Sequence, residues 1–266
     1  MDRKDVAVLI NTCPKYFYLL EACFGLLRRY GSCLGWPVYL ATEYPNDLTI
    51  QKVCGKYNVQ IIELFEADSA FLQSRAKAVS LLPPEIKYIF PLQEDFLLER
   101  PGVNQGALTR ALNLFDENPQ IASFRLMPCP GSASHDIVWG EWNKLSSDDL
   151  QFSYQATLWR RELYLDYMNC LIREGQRLHP DMDYCSAEWN SYCVQTNPAE
   201  TFAGLLMLKR IAPSVVHLCW PRKASWANAV YWCPWPYRPT AIVQGVLQPW
   251  ARELMTREGF MLLNGV

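Results

Sequence analysis

The stretch KYIFPLQEDFLL, Lys87–Leu98, decides how this 266-residue chain is read. Its first half, KYIFPL, has the aromatic and branched apolar character of a buried strand. It then ends in two adjacent carboxylates, Glu94 and Asp95, followed by Phe96. An unpaired carboxylate in a low dielectric costs on the order of several kcal/mol, or takes up a proton. A strand with such an end is expected where it opens into a crevice that holds a cation. In open α/β sheets the carboxyl ends of the strands are where ligands bind. The stretch therefore predicts a sheet-edge site assisted by a metal.

Working outward, the first hundred residues alternate between strand and helix patterns. DVAVLINT at 5–12 reads as a strand closed by a polar turn. Phe17, Leu20, Phe24 and Leu27 then recur at spacings of three and four, which predicts a helix over 16–30. WPVYLAT at 36–42 is a second strand, followed by the turn-rich EYPND, and VQIIEL at 59–64 is a third. From Asp68 as N-cap, SAFLQSRAKAVSLL reads as a helix that stops before Pro83-Pro84. Strands separated by helices over such intervals imply βαβ units and a parallel sheet.

Beyond residue 100 the texture changes. Residues 104–115 predict a helix, ASFRLMP at 122–128 a strand, and 129–150 a loop-rich stretch with an acidic Asp148-Asp149 turn. TLWRRELYLDYMNCLIREG at 157–175 is the strongest helix pattern of this half, stopped by Gly175. Residues 217–240 are dense in Trp, Pro and Tyr and read as irregular structure. Nine of the ten tryptophans lie beyond residue 138, so the aromatic load belongs to this half. One domain is expected over 1–266: an α/β fold with a mostly parallel central sheet flanked by helices and an irregular, aromatic-rich C-terminal half.

Bulk composition narrows the function. Half the residues are hydrophobic and the net charge is −2, so the chain lacks the basic excess of a nucleic-acid binder. The ten cysteines include no C-x-x-C pair, which argues against a zinc ribbon or a thioredoxin-type site. The apolar run VAVLI at 6–10 is too short for a signal peptide core or a membrane span, and a cytoplasmic protein with reduced thiols is expected.

Several side chains are candidates for chemistry. Hard cations such as Mg²⁺ and Mn²⁺ take oxygen ligands, often one or two carboxylates with a substrate diphosphate completing the shell. Glu94 and Asp95 suit that role; the competing reading is a solvated strand end or an ion pair. Arg75 is either a surface arginine on an amphipathic helix or a phosphate ligand, for which its planar fork is well shaped. His217 follows an apolar run and is read as a packed histidine before a ligand. His135 and His179 fall in loops. The aromatic cluster of Trp220, Trp226, Tyr231, Trp232, Trp235 and Tyr237 offers sugar-stacking faces or, more plainly, closes a core without regular structure.

VAVLINTC, PVYLAT, the helix carrying QSRAKAV at 73–79, and the strand ending in Gln93-Glu94-Asp95 together resemble the GT-A-fold glycosyltransferases. The likeness is to small bacterial and large-virus enzymes that build surface glycans. YQATLWRRELYLDYM at 154–168 resembles their Gln-x-x-x-Trp-Arg-Lys/Arg helix, SAEWNSY at 186–192 their Trp-x-Phe-Glu segment, and 238–260 their closing turn and helix. The resemblance implies a GT-A-like (Rossmann-like) domain, with about residues 1–100 binding the nucleotide sugar and about 101–266 the acceptor. It implies donor contacts at Thr12, Arg75, Gln93, Glu94 and Asp95. Metal ligation would fall to Asp95 and Glu94, with His217 as a late third ligand and Mn²⁺ or Mg²⁺ as the cation. Gln93 replaces the first acid of the family's Asp-x-Asp pattern. Glu188 would be the general base of an inverting transfer, with Asp183 as the alternative, and Trp159, Asp181 and Trp189 would contact the acceptor. The acceptor expected is a glycan or a lipid-linked hydroxyl, the latter allowing peripheral membrane contact. Two other readings stand: a non-catalytic carbohydrate- or partner-binding relic of the fold, and a sugar nucleotidyltransferase. The latter needs a glycine-rich phosphate loop, and INTCPKYF at 10–17 has no glycine.

Overall fold

Alternating strands and helices carry the first hundred residues, as the apolar periodicity dictates. The computed structural model describes residues 3–65, 71–128, 137–146, 149, 154–178, 215–221, 231–238 and 240–260. In it, β1 (Val6–Asn11) passes through a 3-10 turn at Pro14–Leu19 into α1 (Leu20–Gly31). There follow β2 (Val38–Thr42), α2 (Leu48–Tyr57), β3 (Gln60–Glu63), α3 (Phe71–Ser80) and β4 (Tyr88–Gln93). The second half contributes α4 (Gln105–Glu117), β5 (Ile121–Arg125), β6 (Ile137–Trp139), β7 (Trp142–Lys144) and β8 (Thr157–Arg160). It continues with α5 (Arg161–Leu178), β9 (Val216–Cys219), the short hairpin β10 (Ile242–Val243) and β11 (Val246–Leu247), and α6 (Pro249–Arg257).

Nine strands form one sheet in the order β3-β2-β1-β4-β8-β5-β9-β7-β6. β1 pairs in parallel with both β2 and β4, and β2 with β3. β8 runs antiparallel to its neighbours β4 and β5, β9 is parallel to β5, and β7 is antiparallel to β9 and β6. Only β8 and β7 therefore oppose the common direction, and the fold is α/β with a mostly parallel sheet. Strand side chains alternate between the faces. Val6, Val8, Ile10, Phe90 and Leu92 face one core with α1, α2, α4 and α6. Ala7, Leu9, Ile89 and Trp159 face the other, with α3 and α5.

Two expectations need correcting. Residues 157–160 are strand, not the first turn of the long helix. Leu158 and Trp159 point to opposite cores, as a strand wedged between β4 and β5 requires. Arg160 and Arg161 mark the switch to helix by donating to the carbonyl oxygens of Phe115, Ile121, Pro83 and Leu82. The helix then runs on past Gly175 to Leu178. The loop-rich stretch 129–150 and the irregular stretch 217–240 also hold β6, β7 and most of β9, strands too short to show a period. Asp68 lies outside the described residues. Six cysteines among the described residues are free thiols, and no described helix is long and apolar enough to cross a membrane.

Helix α2 follows the turn-rich EYPND where no helix is expected, yet its start is well marked. Asp47 Oδ1 accepts from the backbone N–H of Thr49 at 2.8 Å and of Ile50 at 3.2 Å. Asp47→Ala is expected to cost about 1 kcal/mol, read as a lower urea midpoint at unchanged slope. An unchanged midpoint would mean that solvent caps the helix equally well.

Candidate functional site

β4 ends at the carboxyl edge of the parallel part of the sheet, with Gln93 in register with Asn11 of β1. The chain reverses at once: the Phe96 N–H donates to the Gln93 carbonyl at 3.0 Å, so Glu94 and Asp95 occupy the middle of a tight turn. Both are buried, at 8% and 7% exposure. Asp95 is tied to the C-terminal segment on two sides. Its carbonyl accepts from Ala241 N–H at 3.0 Å, and its carboxylate Oδ2 accepts from Ile242 N–H at 3.3 Å. The Thr12 hydroxyl, at the end of β1, donates to Glu94 Oε1 at 3.5 Å.

Burial governs the electrostatics here. It pushes the Glu94 carboxyl up to about 8, with the Asp95 charge adding to the rise and the charge of Arg75 and the Thr12 hydroxyl opposing it. Burial also raises the Cys13 thiol, and the Glu94 charge raises it further. Two carboxylates and a hydroxyl make a hard oxygen donor set that fits Mg²⁺ or Mn²⁺, provided that substrate and water fill the remaining positions. Among the described residues no group of three or more His, Cys, Asp or Glu is gathered that could hold a metal ion.

Arg75 projects from α3 beside this strand end. Its guanidinium lies 3.4 Å from the Phe71 ring centroid and 5.6 Å from that of Tyr154, and it donates to the Phe71 carbonyl at 3.3 Å. Cation–π contacts of this kind hold a guanidinium in place without consuming its donors. A small cleft, partly open to solvent, is lined by Arg75, Gln93, Tyr154, Gln155, Trp159 and Tyr164, with Pro91 and Leu92. Burial pushes the Tyr164 hydroxyl up to about 12, against the charge of nearby Arg75.

The sequence candidates thus divide. Thr12, Glu94 and Asp95 meet at one strand end, and Arg75, Gln93 and Trp159 line the adjoining pocket. Trp159 is 1% exposed, so it forms the pocket's floor rather than an open stacking face. His217 is packed, as the apolar run before it predicts, and only the ligand role implied by the resemblance needs correcting. It lies on β9, three strand spacings or about 14 Å from β4, which takes it out of the shell of Glu94 and Asp95. Its Nδ1 shares a hydrogen bond with Ser123 Oγ at 2.8 Å and its ring packs 5.5 Å from Trp159. Burial, with the Arg125 charge, pushes its pKa down to about 3, so it is a neutral core residue. Glu188, Asp183, Asp181 and Trp189 lie outside the described residues, as do His135, His179 and Trp226. Tyr154, Gln155 and Tyr164 in the pocket and Asn11 at the end of β1 are additions to the sequence candidates. Gln155 did fall within the Gln-x-x-x-Trp segment, and Asn11 gives a sequence signal as a polar residue closing an apolar strand. Its Nδ2 is buried with no hydrogen-bond partner among the described residues.

No family model and no curated protein matches the sequence. Solved structures do match its shape. The apo-form glycosyltransferase GlyE of Streptococcus pneumoniae aligns over 97% of this chain and 61% of its own, at 12% identity and a TM-score of 0.46. S. aureus TarS 1–349 aligns over 84% and 59%, at 14% identity and a TM-score of 0.45. The 4-diphosphocytidyl-2C-methyl-D-erythritol synthase of Anaerococcus prevotii aligns over 64% and 77%, at 12% identity and a TM-score of 0.40. The chain thus spans about three-fifths of the two glycosyltransferase structures.

Proposed function

We propose that this chain is a GT-A-type glycosyltransferase, moving a sugar from a nucleotide-diphosphate sugar to a hydroxyl of a glycan or lipid-linked acceptor. The observation that carries the reading is the buried Glu94–Asp95 turn at the carboxyl edge of β1 and β4, beside Arg75 stacked on the Phe71 ring. Charge builds on the departing diphosphate as the glycosidic bond breaks, and fixed cationic groups in a partly dry site stabilise it most. Arg75 supplies a permanent charge and a fork that matches phosphate oxygens. Glu94 and Asp95 would hold Mn²⁺ or Mg²⁺, which acts as a Lewis acid on the diphosphate when bound. Thr12 and Gln93 flank the donor. In an inverting transfer one carboxylate removes the acceptor hydroxyl's proton while the anomeric carbon is attacked from the opposite face. Glu188 is assigned that role, with Asp183 as its alternative and Asp181, Trp159 and Trp189 on the acceptor side. About residues 1–100 form the donor half and 101–266 the acceptor half of one domain. A cytoplasmic enzyme with peripheral membrane contact at a lipid-linked acceptor accords with this reading.

One observation favours the non-catalytic relic: the Asp95 carboxylate also braces the C-terminal segment through Ile242 N–H. Isothermal titration with a panel of nucleoside diphosphates, with and without Mn²⁺, tests the leading reading. Binding that tightens with Mn²⁺ is expected. No binding to any of them under either condition overturns it, and glycan binding without turnover across a donor panel favours the relic.

A further inference from the structure

We infer that Tyr237 is a positioning residue, which fixes the Gln155 side chain in the wall of the Arg75 pocket from across the sheet edge. The inference rests on the donor-site reading of that pocket. Tyr237 is fully buried and its ring belongs to the core under α1 and α4, 5.1 Å from Phe96. Its hydroxyl leaves that core at the entry to β8. There it accepts from the Ala156 backbone N–H at 3.0 Å and donates to Gln155 Oε1 at 2.5 Å. Gln155 itself lines the pocket on the side of the sheet that faces α3 and α5.

The position of that hydroxyl is set by backbone contacts, not by the ring alone. Residues 231–238 form a strap pinned to the chain that follows the acidic turn. Pro236 O accepts from Glu99 N–H at 3.0 Å and Pro234 O accepts from Asn104 N–H at 2.9 Å. Arg238 forks onto both oxygens of Glu99, at 2.8 and 3.1 Å, and Leu98 and Tyr237 form an isolated bridge. One strap therefore fixes the segment after Asp95 and, through one hydroxyl, the carboxamide of Gln155. With Oε1 engaged by Tyr237, the carboxamide can turn only by breaking that bond, and its amide pole stays on the opposite side. Gln155 shares the pocket wall with Arg75 and Gln93, so the orientation of its carboxamide sets the polarity presented beside a permanent cation. Tyr237 touches no ligand in this arrangement and acts through Gln155.

Tyr237→Phe keeps the ring and removes only the hydroxyl. In the ligand-free protein, the Gln155 side-chain amide resonances and the Ala156 backbone amide are expected to shift. The Asn118 amide, bonded to the Leu114 carbonyl, should stay in place. An unmoved Gln155 pair overturns the inference whether or not any nucleotide binds. The second measurement is a double-mutant cycle read by titration with the nucleoside diphosphate that the wild-type chain binds. Tyr237→Phe and Gln155→Ala are each expected to weaken binding about tenfold, and the double variant no more than either alone. Additive losses, about a hundredfold together, mean that Tyr237 does not act through Gln155 and overturn the inference. Failure of the wild-type chain to bind any nucleotide counts against the donor reading instead, and the resonance shifts still decide the Tyr237–Gln155 contact.

Discussion

Arg75→Ala is expected to lower kcat/KM for sugar transfer by about 100- to 1000-fold, a loss of about 3–4 kcal/mol of transition-state stabilisation. The magnitude follows from where the charge sits. The guanidinium is half-buried, stacked on the Phe71 ring with the Tyr154 ring next to it, and part of the pocket wall beside the end of β4. A cation held in advance costs no reorganisation when charge develops on the leaving group. Arg75→Lys is expected to recover little of the loss. An ammonium is a compact, strongly hydrated point charge that neither stacks flat on Phe71 nor donates two parallel bonds. Thermal stability should fall only modestly, by about 1 kcal/mol, because among the described residues the side chain makes one hydrogen bond, to the Phe71 carbonyl, and its ring contacts. Initial rates and nucleoside diphosphate affinity for the three proteins check this. A loss of less than about tenfold in the alanine variant would leave charge stabilisation to other groups.

How much of this was legible in advance follows the range of the interactions. β1, β2 and β4 were readable because both their faces are buried, which yields near-continuous apolar runs in the sequence. The parallel pairing followed from their spacing. Thr157–Arg160 was misread because a four-residue strand has no period of its own, and the Arg-rich helix after it extends its pattern backwards. What makes it a strand is a pair of partners, β4 and β5, that lie tens of residues away in sequence. Asp47 was a local signal that went unused. Within the site, Glu94 and Asp95 were visible as charges where none should stand, and Arg75 as a cation upstream of them. Tyr154, Gln155 and Tyr164 were not, since only the packing of α3 and α5 against the sheet brings them to one pocket. His217 was legible as a packed histidine from the apolar run before it, but its neighbours Ser123 and Trp159, which come from other strands, were not.

Glu94 carries a prediction about pH whose sign is fixed by burial. The folded carboxyl sits at about 8 against an ordinary value of 4.5, so between those limits the folded protein holds a proton that the unfolded chain has released. Stability must therefore fall as pH rises through that window, and the full penalty is present above it. The slope is bounded by about 1.4 kcal/mol per pH unit, and the accumulated penalty is on the order of a few kcal/mol. Glu94→Gln keeps the shape and the Thr12 contact but never ionises. It is expected to match the wild-type chain near pH 5 and to exceed it by a few kcal/mol at pH 8.5, read from urea midpoints across the range. A difference that does not vary between pH 5 and 8.5 would overturn the assignment. The same experiment bears on the cation. A metal ligand must be deprotonated, so ion binding competes with the proton and strengthens with pH. Millimolar Mn²⁺ at pH 8.5 is expected to restore stability to the wild-type chain and to leave Glu94→Gln nearly unchanged, because only the wild-type carboxylate gains a partner. Equal stabilisation of both proteins would mean that the ion binds elsewhere. Burial thus keeps Glu94 protonated near neutrality, and a cation arriving with the diphosphate would displace that proton and become the partner of the carboxylate it leaves.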